Sequence, residues 1–214
     1  MKNFILSVRE IVILLIIQYV ILIGIILTFG NDNGVIIGTL VIMFFEACYV
    51  IYKWNKSDIR IDKIVYFPYI LIGTGVSVTY NMIIFKLGIC YEPTNINIII
   101  NILASCIVGP IFEEFLYRYS FINKLEKYYS KTLVIFISSL VFALCHTGVP
   151  TIIFAFIIGI INAYFYYKTR DILVPIFIHI SANMISTFLF GYNSLMLILG
   201  IFISVIGYFI IREQ

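Results

Sequence analysis

The sequence predicts an all-α fold, a polytopic membrane helical bundle of about eight transmembrane helices, and three observations carry that prediction. First, 62% of the 214 residues are hydrophobic and 12% are charged, whereas soluble domains carry about 25% charged residues. The 14 basic and 11 acidic side chains cannot give a globule of this size a polar face on every surface element. Second, polar clusters cut the chain into apolar runs, most of them close to the roughly 20 residues that cross a hydrocarbon core. Third, no run alternates polar and apolar residues at period two, which excludes a transmembrane barrel and leaves helices. Disorder and nucleic-acid binding are excluded as well. The net charge of +3 reads as flanking charge on membrane spans.

The first span is 11–29, after Arg9 and Glu10. It is longer than the core of a signal peptide and no small-residue cleavage site follows it, so a retained span is expected. The second, 34–52, ends at Lys53. The third, 64–85, lies between Lys63 and Lys86, and the fourth, 97–121, stops short of Lys124. The fifth, 132–148, starts after Lys131. The sixth, 151–167, ends at Lys168, the seventh, 172–190, opens after Asp171, and the eighth, 193–211, ends at Arg212. With the N-terminus in the cytoplasm, the inside segments hold Lys2, Arg9, Lys53, Lys56, Arg60, Lys63, Lys124, Lys127, Lys131, Lys168, Arg170 and Arg212. The outside loops hold only Lys86, and Arg118 belongs to a span. That asymmetry places both termini inside. No internal repeat, low-complexity tract or linker divides the chain, so residues 1–214 read as one integral membrane domain. Cys48, Cys90, Cys106 and Cys145 show no C-x-x-C spacing and read as small packing residues.

A charge near the bilayer centre costs about 2.5–3.5 kcal/mol on insertion scales, so each one kept there needs a partner or a job. The fourth span holds Glu113, Glu114 and Arg118. Glu114 and Arg118 are four apart with the acid first, the favourable order for a helical ion pair. That pairing commits Glu114 and leaves Glu113 for chemistry. The chain has only two histidines. His146 closes the run Phe142-Ala143-Leu144-Cys145-His146 in the fifth span; His179 lies in the seventh, with Asn183 one turn along on the same face. A lone membrane histidine more often bridges helices than catalyses, but depth favours a shared site. At 1.5 Å per residue from the nearest cytoplasmic basic anchor, Glu113 lies about 21 Å deep, His146 about 22 Å, Asn183 about 20 Å and His179 about 13 Å. Pro110, Pro150 and Pro175 fall within four residues of Glu113, His146 and His179. Proline bends or ends a helix, which a membrane tolerates best beside a polar cavity.

Such a set suits hydrolysis. A carboxylate taken out of water holds a proton more tightly and acts as a base near neutrality, and beside an imidazole it can take a proton from water. Glu113 and His146 fit that role. His179 and the Asn183 amide supply two donors for a developing oxyanion. A Ser-His-Asp arrangement does not compete, because every Asp lies at a span end or in a loop.

Glu113-Glu114-x-x-x-Arg118, Phe142-x-x-x-His146 and His179-x-x-x-Asn183, in this order on three hydrophobic spans, closely resemble the motifs of the CAAX protease and bacteriocin-processing family of intramembrane proteases (CPBP, or Abi). This family includes type II CAAX prenyl endopeptidases. The resemblance covers about residues 97–190, the expected catalytic core, and an eight-span total suits the family. It implies that Glu113 and His146 activate the water, that His179 and Asn183 form the oxyanion hole, and that Glu114 and Arg118 support the site. Many members have Gly after the motif arginine where this chain has Tyr119, a departure that bears on helix packing more than on catalysis. The family is commonly labelled a metalloprotease family, yet the Glu–His scheme requires no metal and is the one favoured. Glu113, His146 and His179 make an alternative three-ligand zinc site with an open position.

The remaining polar residues have plainer readings. Glu46 in the second span either contacts the site or satisfies another buried polar group. Asn81, Asn101 and Asn162 read as interhelical hydrogen-bond partners. The Lys53–Lys63 loop reads as a solvated, lipid-facing charge cluster. Two other functions share the sequence features: a bacteriocin self-immunity protein of the same family, and a proton-coupled transporter. A transporter should place polar or broken segments at matching positions in two halves, whereas here they fall almost wholly between Glu113 and Asn183. The Ile-, Lys- and Asn-rich composition reads as bacterial, with a cell-membrane location. The expected substrate is then a peptide or protein terminus within or at the membrane.

Overall fold

The computed structural model describes residues 2–54, 65–89, 97–189 and 191–213. Among these residues every regular element is helical, the all-α polytopic fold that the sequence predicts. The helices are α1 (Lys2–Phe29), α2 (Asn31–Trp54), α3 (Phe67–Lys86), α4 (Ile98–Leu125), α5 (Lys131–Leu144), α6 (Val149–Thr169), α7 (Leu173–Phe188) and α8 (Ser194–Glu213). Six are long and apolar enough to cross a membrane; α5 and α7 are shorter. At 14 and 16 residues they measure about 21 and 24 Å, against a hydrocarbon core of roughly 30 Å. The two short helices are the one that carries His179 and the one that ends two residues before His146. Helix α5 ends at Leu144 instead of 148, and the connection enters α6 through Gly148, at a φ of +82° that only glycine adopts at little cost. Helix α6 then starts at Val149, with Pro150 in its first turn.

The chain forms two compact units. One comprises Met1–Asp58 and Asn95–Val134, the other Ile59–Thr94 and Ile135–Gln214. In the first, α1 packs along α2, and both pack on α4. Helix α1 begins nine residues before the expected span, running through Arg9 and Glu10. The reason is neutralisation of Glu10. Its carboxylate pairs with Lys53 at 2.8 Å and with Lys124, and accepts from the Tyr49 hydroxyl at 3.0 Å. The Tyr49 hydroxyl also lies 3.1 Å from Ser120 Oγ. Lys53 is thus an interhelical partner and not part of a solvated loop; residues 55–64 of that loop lie outside the described residues. Leu27, Val20 and Phe44, 82, 65 and 73% exposed, show the apolar outer faces of α1 and α2 that a bilayer would cover.

Helix α4 is not a regular α-helix. Two π-helical stretches, Ile102–Val108 and Phe115–Ile122, flank the α-helical Gly109–Glu114. The Gly109 N–H donates to Ala104 O, five residues back, and a Cβ on Gly109 would sit 2.7 Å from that oxygen. The wide turn takes up Pro110, whose ring clashes with the carbonyl four residues back in a regular helix. Pro150 and Pro175 act differently from the expected bends. Both lie in the first turns of α6 and α7, where no intrahelical N–H is lost.

In the second unit α3 packs on α8, α7 and α6, and α6 packs on α7. Its core includes Tyr69, Ile72, Phe165, Val174, Ile178 and Ile211. Small residues let the backbones touch, since packing and hydrogen bonding replace the hydrophobic drive inside lipid. Ser77 Oγ donates to Ala182 O at 2.8 Å and Asn81 Nδ2 to Ser186 Oγ at 3.0 Å, so Asn81 is the interhelical partner expected. Asn101 instead accepts from Ser105 within its own helix at 3.1 Å. Asn162 is fully buried in α6. Of the cysteines, Cys106 is buried as a packing residue, Cys48 is exposed, and Cys90 lies outside the described residues. A Cβ on Gly73 would lie 2.2 Å from Ile178 O and 2.2 Å from Ser181 Oγ, against the α7 backbone beside His179. Gly73→Ala should therefore cost about 1–3 kcal/mol through overpacking, read as a lower melting temperature in detergent. A parent-like melt would contradict this close approach.

Candidate active site

Helix α7 fixes two of the candidate side chains. Arg170 closes α6 in the left-handed region at φ 55°. Next to it Asp171 is fully buried, accepting from the Tyr66 hydroxyl at 2.7 Å and from the Leu173 N–H at 2.8 Å. This anchors the start of α7. His179, 3% exposed, and the half-buried Asn183 follow on one face, one turn apart.

His146 lies two residues beyond α5, in the connection to α6, and not inside the helix as its place in the fifth span suggested. Its N–H donates to Ala143 O at 3.0 Å, and its ring Nδ1 lies 2.9 Å from Phe142 O. A carbonyl oxygen only accepts, so Nδ1 carries the hydrogen and Nε2 of the neutral ring keeps its lone pair. The Phe142 ring stands edge-on to both imidazoles, 4.8 Å from His146 and 5.6 Å from His179 between centroids. A buried aromatic ring thus spaces the two histidines.

His146, His179 and Asn183 line one cavity of about 110 Å³, room for a few waters at roughly 30 Å³ each. Phe142, Phe154, Ala155 and Ile158 form its apolar walls, and Thr151 adds a hydroxyl. All of these residues belong to the second unit. Thr151, Phe154, Ala155 and Ile158 were missed in the sequence. Their i, i+3, i+4, i+7 spacing marks one face of α6, but nothing in the pattern says what that face meets. Tyr80 stacks on Phe154 at 4.9 Å and its hydroxyl donates to Pro150 O, pinning the first turn of α6 to α3.

Glu113, Glu114 and Arg118 belong to the first unit, on α4. Arg118 Nε lies 3.0 Å from Glu114 Oε2 with both side chains 0% exposed, so the i,i+4 ion pair exists and is wholly buried. Glu113 is half-buried at the last α-helical turn before the second π-helical stretch. Tyr119, in place of the glycine common after the motif arginine, packs on Phe115 at 6.0 Å. Glu46 on α2 accepts from Gln18 Nε2 at 2.9 Å, and the Glu46 and Glu113 charges act on each other through space. Glu46 therefore both satisfies a half-buried amide and sits in the electrostatic surroundings of Glu113.

Comparison with known proteins gives a family match over this region and one curated relative. The family described as "Type II CAAX prenyl endopeptidase Rce1-like" matches residues 95–185. The "Putative membrane peptidase YdiL" of Bacillus subtilis (strain 168) is 36% identical over 85 residues, covering 38% of this chain and 34% of that protein. The chain thus spans about a third of the length of this curated relative. No solved structure matches. The stretch 95–185, which holds Glu113, Glu114, Arg118, His146, His179 and Asn183, is similar to the Rce1-like type II CAAX prenyl endopeptidases, the family that the order of its motifs resembles.

Proposed function

We propose that the protein is an intramembrane endopeptidase whose catalytic core spans 97–190, acting on a peptide or protein terminus within or at the membrane, with both chain termini in the cytoplasm. The observation that carries this is the hydrogen bond from His146 Nδ1 to Phe142 O, which in the neutral ring leaves the lone pair on Nε2, on a residue that lines a cavity with His179 and Asn183. A water adds to the substrate carbonyl carbon and gives its proton to the base formed by Glu113 and His146. His179 and Asn183 donate to the oxygen as it becomes negative. The C–N bond then breaks, and the proton held by the base passes to the leaving amine. Glu114 and Arg118 hold α4 in shape.

The polar groups lining the cavity from this unit are two imidazoles, a carboxamide and a hydroxyl, of which the two imidazoles are one short of the three Cys, His or carboxylate ligands of a catalytic zinc site. Glu113, His146 and His179 are the alternative ligand set for zinc, which would polarise the substrate carbonyl and the attacking water. The experiment is cleavage of an internally quenched peptide library in vesicles, followed by mass spectrometry. The parent should cleave, His146→Ala should not, and dialysis against a strong chelator should leave the rate unchanged. Stoichiometric zinc whose removal and restoration switch activity off and on would overturn the metal-free scheme. Proton movement across the vesicle without cleavage would favour a transporter.

A further inference from the structure

Thr151 occupies the first turn of α6 and lines the same cavity as His146, His179 and Asn183. Five other helical threonines, Thr28, Thr39, Thr79, Thr169 and Thr187, give their hydroxyl hydrogen to the carbonyl four residues back. Thr151 makes no such bond: the residue four back, Thr147, lies in the connection before α6 begins. Among the described residues its half-buried hydroxyl makes no hydrogen bond. The turn that presents it is held on both sides. Gly148 sets the entry at φ +82° and Tyr80 grips Pro150 O. A hydroxyl in a cavity wall that makes no hydrogen bond among the described residues is the kind of donor that can meet a developing charge without first breaking another bond. The N-terminal end of a 21-residue helix adds a field that favours negative charge at the same place.

We propose that the Thr151 hydroxyl is a third oxyanion donor, beside His179 and Asn183, for the tetrahedral intermediate of the hydrolysis proposed above, on which this inference rests. The hydroxyl keeps its proton throughout: it donates a hydrogen bond as the carbonyl oxygen becomes negative and releases it when the C–N bond breaks. Because the donor faces an oxygen that becomes charged only in the transition state, its loss lowers kcat and leaves KM unchanged. Thr151→Val keeps the shape and deletes the donor; Thr151→Ser keeps the donor and deletes a methyl group.

The test uses the full chain in phosphatidylglycerol–phosphatidylcholine vesicles and the quenched peptide that the parent cleaves best. A cleaving parent with an inactive His146→Ala establishes the hydrolysis on its own. Against that background Thr151→Val should lose about 10²–10³-fold in kcat, the typical cost of one oxyanion donor, at parent KM and melting temperature. Thr151→Ser should stay within about threefold of the parent, since it keeps the hydroxyl. Thr151→Ala repeats the comparison without adding bulk if the valine variant folds poorly. Parent-like kcat in the variants lacking the hydroxyl, or a rise in KM alone, would overturn the assignment while leaving the proposed hydrolysis standing. A parent that cleaves no peptide while folded in vesicles would overturn both.

Discussion

Glu113→Gln should abolish peptide cleavage while the protein inserts, purifies and melts like the parent. The change keeps the shape of the side chain and removes the only group on α4 proposed to take a proton from water. General-base catalysis contributes about 10²–10⁴-fold, so residual activity should fall at or below one hundredth of the parent. Glu113 is half-buried and outside the Glu114–Arg118 ion pair, and Gln preserves hydrogen-bonding capacity, so stability should hold. The measurement is kcat on the library peptide beside a melting curve in the same detergent. Activity above a tenth of the parent value would remove Glu113 from the base and leave His146 to act without it.

Glu114→Gln should instead unfold the protein more readily. Both members of the pair are 0% exposed, and breaking a buried ion pair by removing one partner costs about 3–5 kcal/mol, because the other charge stays buried and loses this counter-charge. The melting temperature should drop and activity should fall with it, through displacement of the α4 turn that carries Glu113. A second variant separates charge burial from shape. Replacing both residues with apolar ones of similar size, Glu114→Leu with Arg118→Met, removes the buried charge and should recover most of the lost stability. A Glu114→Gln protein as stable as the parent would show that Arg118 does not depend on this partner.

Much of the architecture is legible in the chain because its physics is local. Hydrophobic run length places the helices, since a bilayer admits only segments that satisfy their own backbone groups. The i,i+4 spacing of Glu114 and Arg118, and of His179 and Asn183, puts each pair on one helical face whatever surrounds it. Other features depend on contacts distant in sequence. Helix α1 runs through Glu10 because Lys53, Lys124 and Tyr49 arrive from two other helices, which the first ten residues do not record. The first π-helical stretch of α4 ends on the bond from Gly109 N–H to Ala104 O, five residues back, just before Pro110, with no side-chain period to announce it.

The same division runs through the candidate site. The residues alone singled out the candidate side chains, because a membrane penalises every charge and imidazole it retains and so makes each one conspicuous. The tertiary structure decided their environment. It put His146 beyond the end of α5, gave its Nδ1 to a carbonyl, and set Phe142 between the two imidazoles. It also turned the Thr151 face of α6 toward His179 and Asn183. Threonine, alanine and isoleucine cost a membrane helix almost nothing, so their place in a site is fixed by which helix packs against which, a matter of shape complementarity between segments that no single segment specifies.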